Sequence, residues 1–330
     1  MPYVSYAAGA LGAIAAGLLA FTQWQVHRIN AANPPRGQFV EVTGGRLYYT
    51  RLQPQSAPRA HVVLIHGASG SEADMMEPLG APLLARGVDV IAFDRPGFGW
   101  SDRLGANTPA AQGERIVEAL KSLGVKKAII SGHSLGGVVS TYLAISHQEL
   151  VAGLVLEAAV THPWPGGDIA FYYRMTAAPY IGDAFANLLA MPLGQLVMDS
   201  ALASVFSPQP TPPDYKARTG AERALRPSTF IANAIDVSGI FDVVTVQAPH
   251  LKEITAPTAI ITGDQDDVVL TRIHSYGSAR DIPGATLKVL PGVGHSPHWA
   301  DPLAVVGSIE EVVSRIGAPA AVPASLVSHP

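Results

Sequence analysis

AIISGHSLGG, residues 128–137, is the stretch on which the reading of this chain turns. An apolar run passes into Gly132-His133-Ser134-Leu135-Gly136-Gly137, and an apolar helical pattern then follows over residues 135–145. A strand that breaks at a glycine-flanked serine and continues as a helix holds that serine in a sharp turn, its hydroxyl raised at the carboxyl end of the strand. The helix N-terminus presents free N–H groups and a partial positive charge to whatever the serine attacks. The pattern therefore points to a nucleophile, against the plainer alternative of a structural Gly-Ser turn.

A serine hydroxyl is a weak nucleophile and needs a base, which in turn needs a group to orient it. The apolar run 259–262 ends in Gly263-Asp264-Gln265-Asp266-Asp267, and the run 287–290 ends in Pro291-Gly292-Val293-Gly294-His295. Catalytic groups of parallel sheets collect at the carboxyl ends of strands, so both loops can converge on Ser134 in the order serine, acid, histidine. His295 is the expected base. Asp264, Asp266 and Asp267 are candidates for the acid, with Glu157 an outsider at the end of an earlier run.

Further unalternating apolar runs at 62–65, 90–93 and 154–156 suit strands buried on both faces. Helical candidates at 77–86, 109–123 and 302–316 alternate with them. The alternation predicts an α/β fold, a mostly parallel sheet with helices on both faces. A hairpin of 38–42 and 46–51, joined through Gly44 and Gly45, adds antiparallel strands at one edge. Residues 161–253 break the rhythm with proline, methionine and aromatic residues (FYYRMTAAPY, AMPLGQLVM, VFSPQPTPPDY), which predicts an inserted helical lid that governs substrate choice. An ornamental insertion packed on the sheet is the alternative. The expected organisation is an N-terminal transmembrane anchor over 1–28, core over 29–160, lid over 161–253, core over 254–317 and a flexible tail over 318–330.

Residues 3–21 carry no charge and are about long enough to cross a bilayer. No Lys or Arg precedes them, which favours an anchor over a cleaved signal peptide, although Leu19 and Ala20 resemble a small-residue cleavage site. Trp24 suits a membrane interface, and Arg28 and Arg36 place the C-terminal domain on the cytoplasmic side by the positive-inside rule. The expected location is a single-pass membrane anchor. With 48% hydrophobic residues and a net charge of −4, the chain has a large core and no basic field for nucleic acid. It has no cysteine, which excludes disulfides, thiolate metal sites and a cysteine nucleophile.

His66 and His133 read as scaffold histidines. His298 follows His295 at helical spacing, but without His-Glu-x-x-His or a convergent carboxylate pattern no metal is expected. Gly97-Phe98-Gly99 begins a dinucleotide fingerprint that Asp102 interrupts, and there is no P-loop, so no cofactor is implied.

Over residues 38–316 the chain resembles the α/β-hydrolase superfamily, in particular its lid-bearing serine hydrolase subgroup of esterases and lipases. The resemblance rests on the Ser134 turn, on His66-Gly67, on Asp94-Arg95-Pro96-Gly97-Phe98-Gly99-Trp100-Ser101 and on a Gly-x-x-Asp pattern that aligns with Asp266. It implies Asp266 as the orienting acid. It also implies an oxyanion hole made by the backbone N–H of Leu135 and that of Ala68, with Ser69 the neighbouring alternative. Haloalkane dehalogenases and epoxide hydrolases resemble the chain but use an aspartate where Ser134 stands. The implied activity is hydrolysis of a carboxylic ester through an acyl-enzyme. A small apolar ester fits the apolar lid and the membrane anchor. Carbon–carbon bond hydrolases, cofactor-free perhydrolases, amidases and acyltransferases share the triad. A non-enzymatic ligand receptor on the same fold is the reading of a different class.

Overall fold

The computed structural model describes residues 2–316; the tail expected over 318–330 lies outside them. Eight strands form one sheet: β1 Gln38–Val42, β2 Gly45–Leu52, β3 His61–Ile65, β4 Asp89–Phe93, β5 Ala128–His133, β6 Val151–Glu157, β7 Thr258–Gly263 and β8 Thr286–Leu290. Their order is β1-β2-β4-β3-β5-β6-β7-β8. The β1–β2 and β2–β4 pairs are antiparallel and the rest parallel. The helices are α1 Pro2–Ala32, α2 Glu72–Leu84, α3 Pro109–Ser122, α4 Gly136–Ser146, α5 Phe171–Ala177, α6 Ile181–Phe185, α7 Met191–Phe206, α8 Tyr215–Thr219, α9 Pro227–Gln247, α10 His274–Asp281, α11 Pro297–Ala300 and α12 Pro302–Arg315.

Two cores explain why the central strands read as unbroken apolar runs. On one face Val63, Ile65, Ile130 and Leu154 pack under α3 and α4 through Ile116, Leu120, Val139 and Leu143. On the other, Val62, Leu64, Ile129 and Val155 pack under α2 and α12 through Leu79, Leu83, Val305 and Ile309. Each such side chain contributes about 1.5–3 kcal/mol by leaving water. The chain leaves β3 through α2 to β4 on one side, then crosses through α3 to β5 on the other. That reversal opens a crevice at the carboxyl ends of β3 and β5, where parallel α/β sheets bind ligands.

Some boundaries differ from expectation. Helix α2 begins at Glu72 rather than residue 77, because its first turn buries the polar side chains Glu72 and Asp74, which apolar periodicity cannot detect. The polar helix α10 was hidden for the same reason. Helix α1 runs to Ala32, past the expected anchor boundary at 28. Ile29 is buried against Met191 and Leu225, and Gln25 donates to Gln195 at 2.9 Å, so the second half of α1 packs on the insertion.

Residues 161–253 form helices α5–α9. Helix α9 packs Ile240 and Val244 against Leu135, Val138 and Val160 beside the serine turn. Outward, Leu193, Leu196 and Val197 of α7 are exposed, as are Leu11, Ile14 and Trp24 of α1. Among the described residues three segments are long and apolar enough to cross a membrane by length and composition: Gly9–Ala32, Ile181–Phe206 and Pro227–Glu253.

Candidate active site

Ser134 sits between β5 and α4 with φ at 52°, a left-handed conformation that costs a non-glycine residue energy. The surroundings hold it there. Its N–H donates to Glu157 O at 3.0 Å, and its own carbonyl accepts from Gly137 N at 2.9 Å and Val160 N at 3.0 Å. The flanking glycines are needed for space. A Cβ at Gly132 would run into Ser140 and the Gly136 carbonyl, and one at Gly136 into the Ile65 carbonyl.

The loops after β7 and β8 bring two side chains to this turn. His295 Nε2 lies 3.0 Å from Ser134 Oγ, and His295 Nδ1 lies 2.9 Å from Asp266 Oδ2. The carboxylate can only accept, so Nδ1 carries the proton and the Nε2 lone pair faces the serine hydroxyl. Asp266 Oδ1 accepts from the N–H groups of Val268 at 2.9 Å and Val269 at 2.8 Å, which fixes the carboxylate plane. All three residues are buried, at 7% exposure for Ser134 and 4% each for Asp266 and His295.

The other acids stand elsewhere. Asp264 and Asp267 are exposed, and Asp264 Oδ1 caps the next loop by accepting from Gly292 N at 2.7 Å. Glu157 accepts from Ser131 Oγ at 2.5 Å, and burial raises its pKa above the ordinary carboxylate range. His66 is scaffold. Its Nδ1–H donates to Gly67 O at 2.8 Å and its Nε2 accepts from Arg95 N at 3.0 Å, while burial and then the Arg95 charge push its pKa down to about 3.

Neither Leu135 N–H nor Ala68 N–H meets an acceptor among the described residues, whereas Ser69 N–H is spent on Asn233 Oδ1 at 2.7 Å. The loop that carries Ala68 is held by fully buried Arg95, which donates to His66 O at 3.0 Å, Gly67 O at 3.1 Å and Asp236 Oδ2 at 2.5 Å. Asn233 and Asp236 both belong to α9, so the insertion fixes the loop from above. Sequence reasoning missed them. Their only signal was an Asn and an Asp three residues apart on a mostly apolar helix.

A family model described as the alpha/beta hydrolase fold matches residues 60–302, most of the chain. This chain belongs to the alpha/beta hydrolase fold family. The hydrolase is 30% identical over 271 residues to the putative carbamate hydrolase RutD of Variovorax paradoxus (strain S110), covering 78% of this chain and 93% of the relative. It is 25% identical over 275 residues to the 2-hydroxy-6-oxo-6-phenylhexa-2,4-dienoate hydrolase of Burkholderia cepacia, covering 79% and 91%. Among solved structures, a membrane phospholipase A described as a bacterial virulence factor shares the hydrolase's fold. It is 22% identical with a TM-score of 0.64, and the match covers 96% of this chain and 97% of that one.

Proposed function

We propose that this α/β-hydrolase is a membrane-tethered serine hydrolase that cleaves a lipophilic carboxylic ester. The observation that carries the reading is the unbroken hydrogen-bonded chain from Ser134 Oγ through His295 to Asp266, at 3.0 and 2.9 Å. Ser134 Oγ attacks the ester carbonyl carbon as His295 Nε2 takes its proton. The carbonyl oxygen becomes an oxyanion that receives the N–H groups of Leu135 and Ala68. Collapse expels the alcohol, which leaves with the proton from Nε2, and the acyl group stays on Ser134. A water then gives its proton to Nε2 and attacks the acyl carbon; the bond to Ser134 Oγ breaks, Oγ takes the proton back from Nε2, and the acid is released. Asp266 keeps the imidazole in the required tautomer and stabilises its protonated form.

The preference for an apolar acyl chain follows from the insertion, whose residues Trp164, Ile169 and Ile240 pack with Val160 beside the serine turn. On this reading the insertion serves as a lid and α1 as the tether. The test offers p-nitrophenyl esters of graded chain length to the full-length protein in detergent. The expected result is turnover that rises with chain length and disappears in Ser134→Ala. Equal hydrolysis by wild type and Ser134→Ala overturns the assignment. A second reading, carbon–carbon bond hydrolysis with the same residues, is favoured by the similarity to the Burkholderia cepacia hydrolase. Turnover of a ring-fission dienoate with inert esters would select it.

A further inference from the structure

Behind the Ser134–His295–Asp266 chain a second set of buried polar side chains converges. Asp74 of α2, His133 of β5 and His298 of α11 each offer one ligand atom, and these atoms lie within 4.8 Å of one another. The three residues are buried, at 6%, 5% and 0% exposure. His133 Nδ1 and His298 Nε2 have no hydrogen-bond partner among the described residues. An unpaired buried polar atom costs about 1–3 kcal/mol, so each of the two calls for a partner.

The opposite atom of each side chain has an outer neighbour. Asp74 Oδ1 accepts from Tyr215 Oη at 2.8 Å and Trp299 Nε1 at 2.9 Å, which leaves Oδ2 free at 3.7 Å from His298 Nε2. His133 Nε2 donates to the His295 carbonyl at 2.9 Å, so Nδ1 holds a lone pair. His298 Nδ1 stands 3.6 Å from Glu157 Oε2, whose partner oxygen is held by Ser131. Metal-ligating histidines and carboxylates have the far atom tied to a carboxylate, carbonyl or other outer group while the near atom faces the ion; Asp74 and His133 meet this pattern, whereas His298 Nδ1 has no hydrogen-bond partner among the described residues.

We propose that Asp74, His133 and His298 form a buried site for one divalent cation of the zinc class. Two imidazoles and one carboxylate suit a borderline cation, whereas calcium and magnesium prefer oxygen cages. Zinc bonds of about 2.0–2.1 Å set tetrahedral neighbours about 3.3–3.5 Å apart, so the 3.7 Å between His298 Nε2 and Asp74 Oδ2 needs little contraction. The ion would join α2 to both catalytic loops, since His133 precedes Ser134 and His298 lies three residues beyond His295. Its role is structural, because Ser134 and His295 complete their own hydrogen bonds without it.

The test uses full-length protein in detergent, purified without a polyhistidine tag and washed with chelator. Elemental analysis after equilibration with zinc should find one equivalent per chain. Cobalt should give the visible absorption of a four-coordinate site. Both signals should fall at least tenfold in His298→Gln and in Asp74→Asn, and should persist in Ser134→Ala whether or not esters are turned over. Wild-type protein that takes up neither zinc nor cobalt overturns the proposal and assigns the space to a water or to a protonated His298 between Asp74 and Glu157. Uptake unchanged in both variants overturns it equally.

Discussion

Two histidines three residues apart, His295 and His298, each stand near carboxylates, and the contrast between them separates a finished machine from an open frame. His295 has a partner on each nitrogen, Asp266 at 2.9 Å and Ser134 at 3.0 Å. Among the described residues His298 has none within hydrogen-bond distance, its neighbours Glu157 and Asp74 standing at 3.6 and 3.7 Å. Aligned partners polarise one another and prepare a proton transfer. Partners held a little too far apart prepare a space. Residue type alone does not distinguish these outcomes; which atoms are already spent does.

The contrast can be broken from the catalytic side first. Ser134→Ala should lower kcat by about 10⁴–10⁶-fold, with the thermal midpoint unmoved by calorimetry because Ser134 is held through its backbone. Asp266→Asn should follow with a loss of about 10⁴-fold, since an amide at that site selects the wrong tautomer of His295. A loss of under tenfold would return the acid role to another residue. Asp236→Ala should act on stability instead. It leaves the Arg95 charge buried and unpaired, at a cost of about 3–5 kcal/mol read from denaturant unfolding. Asn233→Ala, which frees Ser69 N–H, should cost about 1–3 kcal/mol. It should lower kcat more than KM changes, because the Ala68 loop loses its clamp.

A further effect lies in the pH dependence. His66 is held near pKa 3 and His274 near 4, both chiefly by burial. The folded protein keeps them neutral while the unfolded chain protonates them below about pH 6.5. Their contribution is therefore complete above that pH and falls as pH drops towards 4, by up to about 1.4 kcal/mol per pH unit for each histidine. Unfolding free energies measured between pH 7 and 4 should show this slope, and His274→Gln should reduce it.

Much of this was legible in the chain because burial on two faces writes itself as apolar runs: β3 to β7 fall where such runs lie, whereas the edge strand β8 (TLKVL) is largely exposed. The turn at Ser134 was legible because its glycines answer to steric necessity. Asp266 could be aligned by pattern, but only the fold separates it from Asp264 and Asp267, through burial and the N–H groups of Val268 and Val269. What stayed hidden is polar and distant in sequence. Asp74 occupies the first turn of α2, where a buried acid leaves no periodic trace. Asn233 and Asp236 reach the Ala68 loop across 164 and 141 residues to Ser69 and Arg95. The exposed apolar face of α7 was absorbed into the expected lid, since hydropathy does not say which way a helix faces.

The most direct test of the central claim is covalent. A fluorophosphonate probe reacts with an activated serine, and mass mapping of the labelled protein locates the adduct. The expected result is a single adduct on Ser134, abolished in Ser134→Ala and slowed strongly in His295→Ala. Labelling that survives Ser134→Ala, or a wild-type protein that stays unlabelled, would contradict the account.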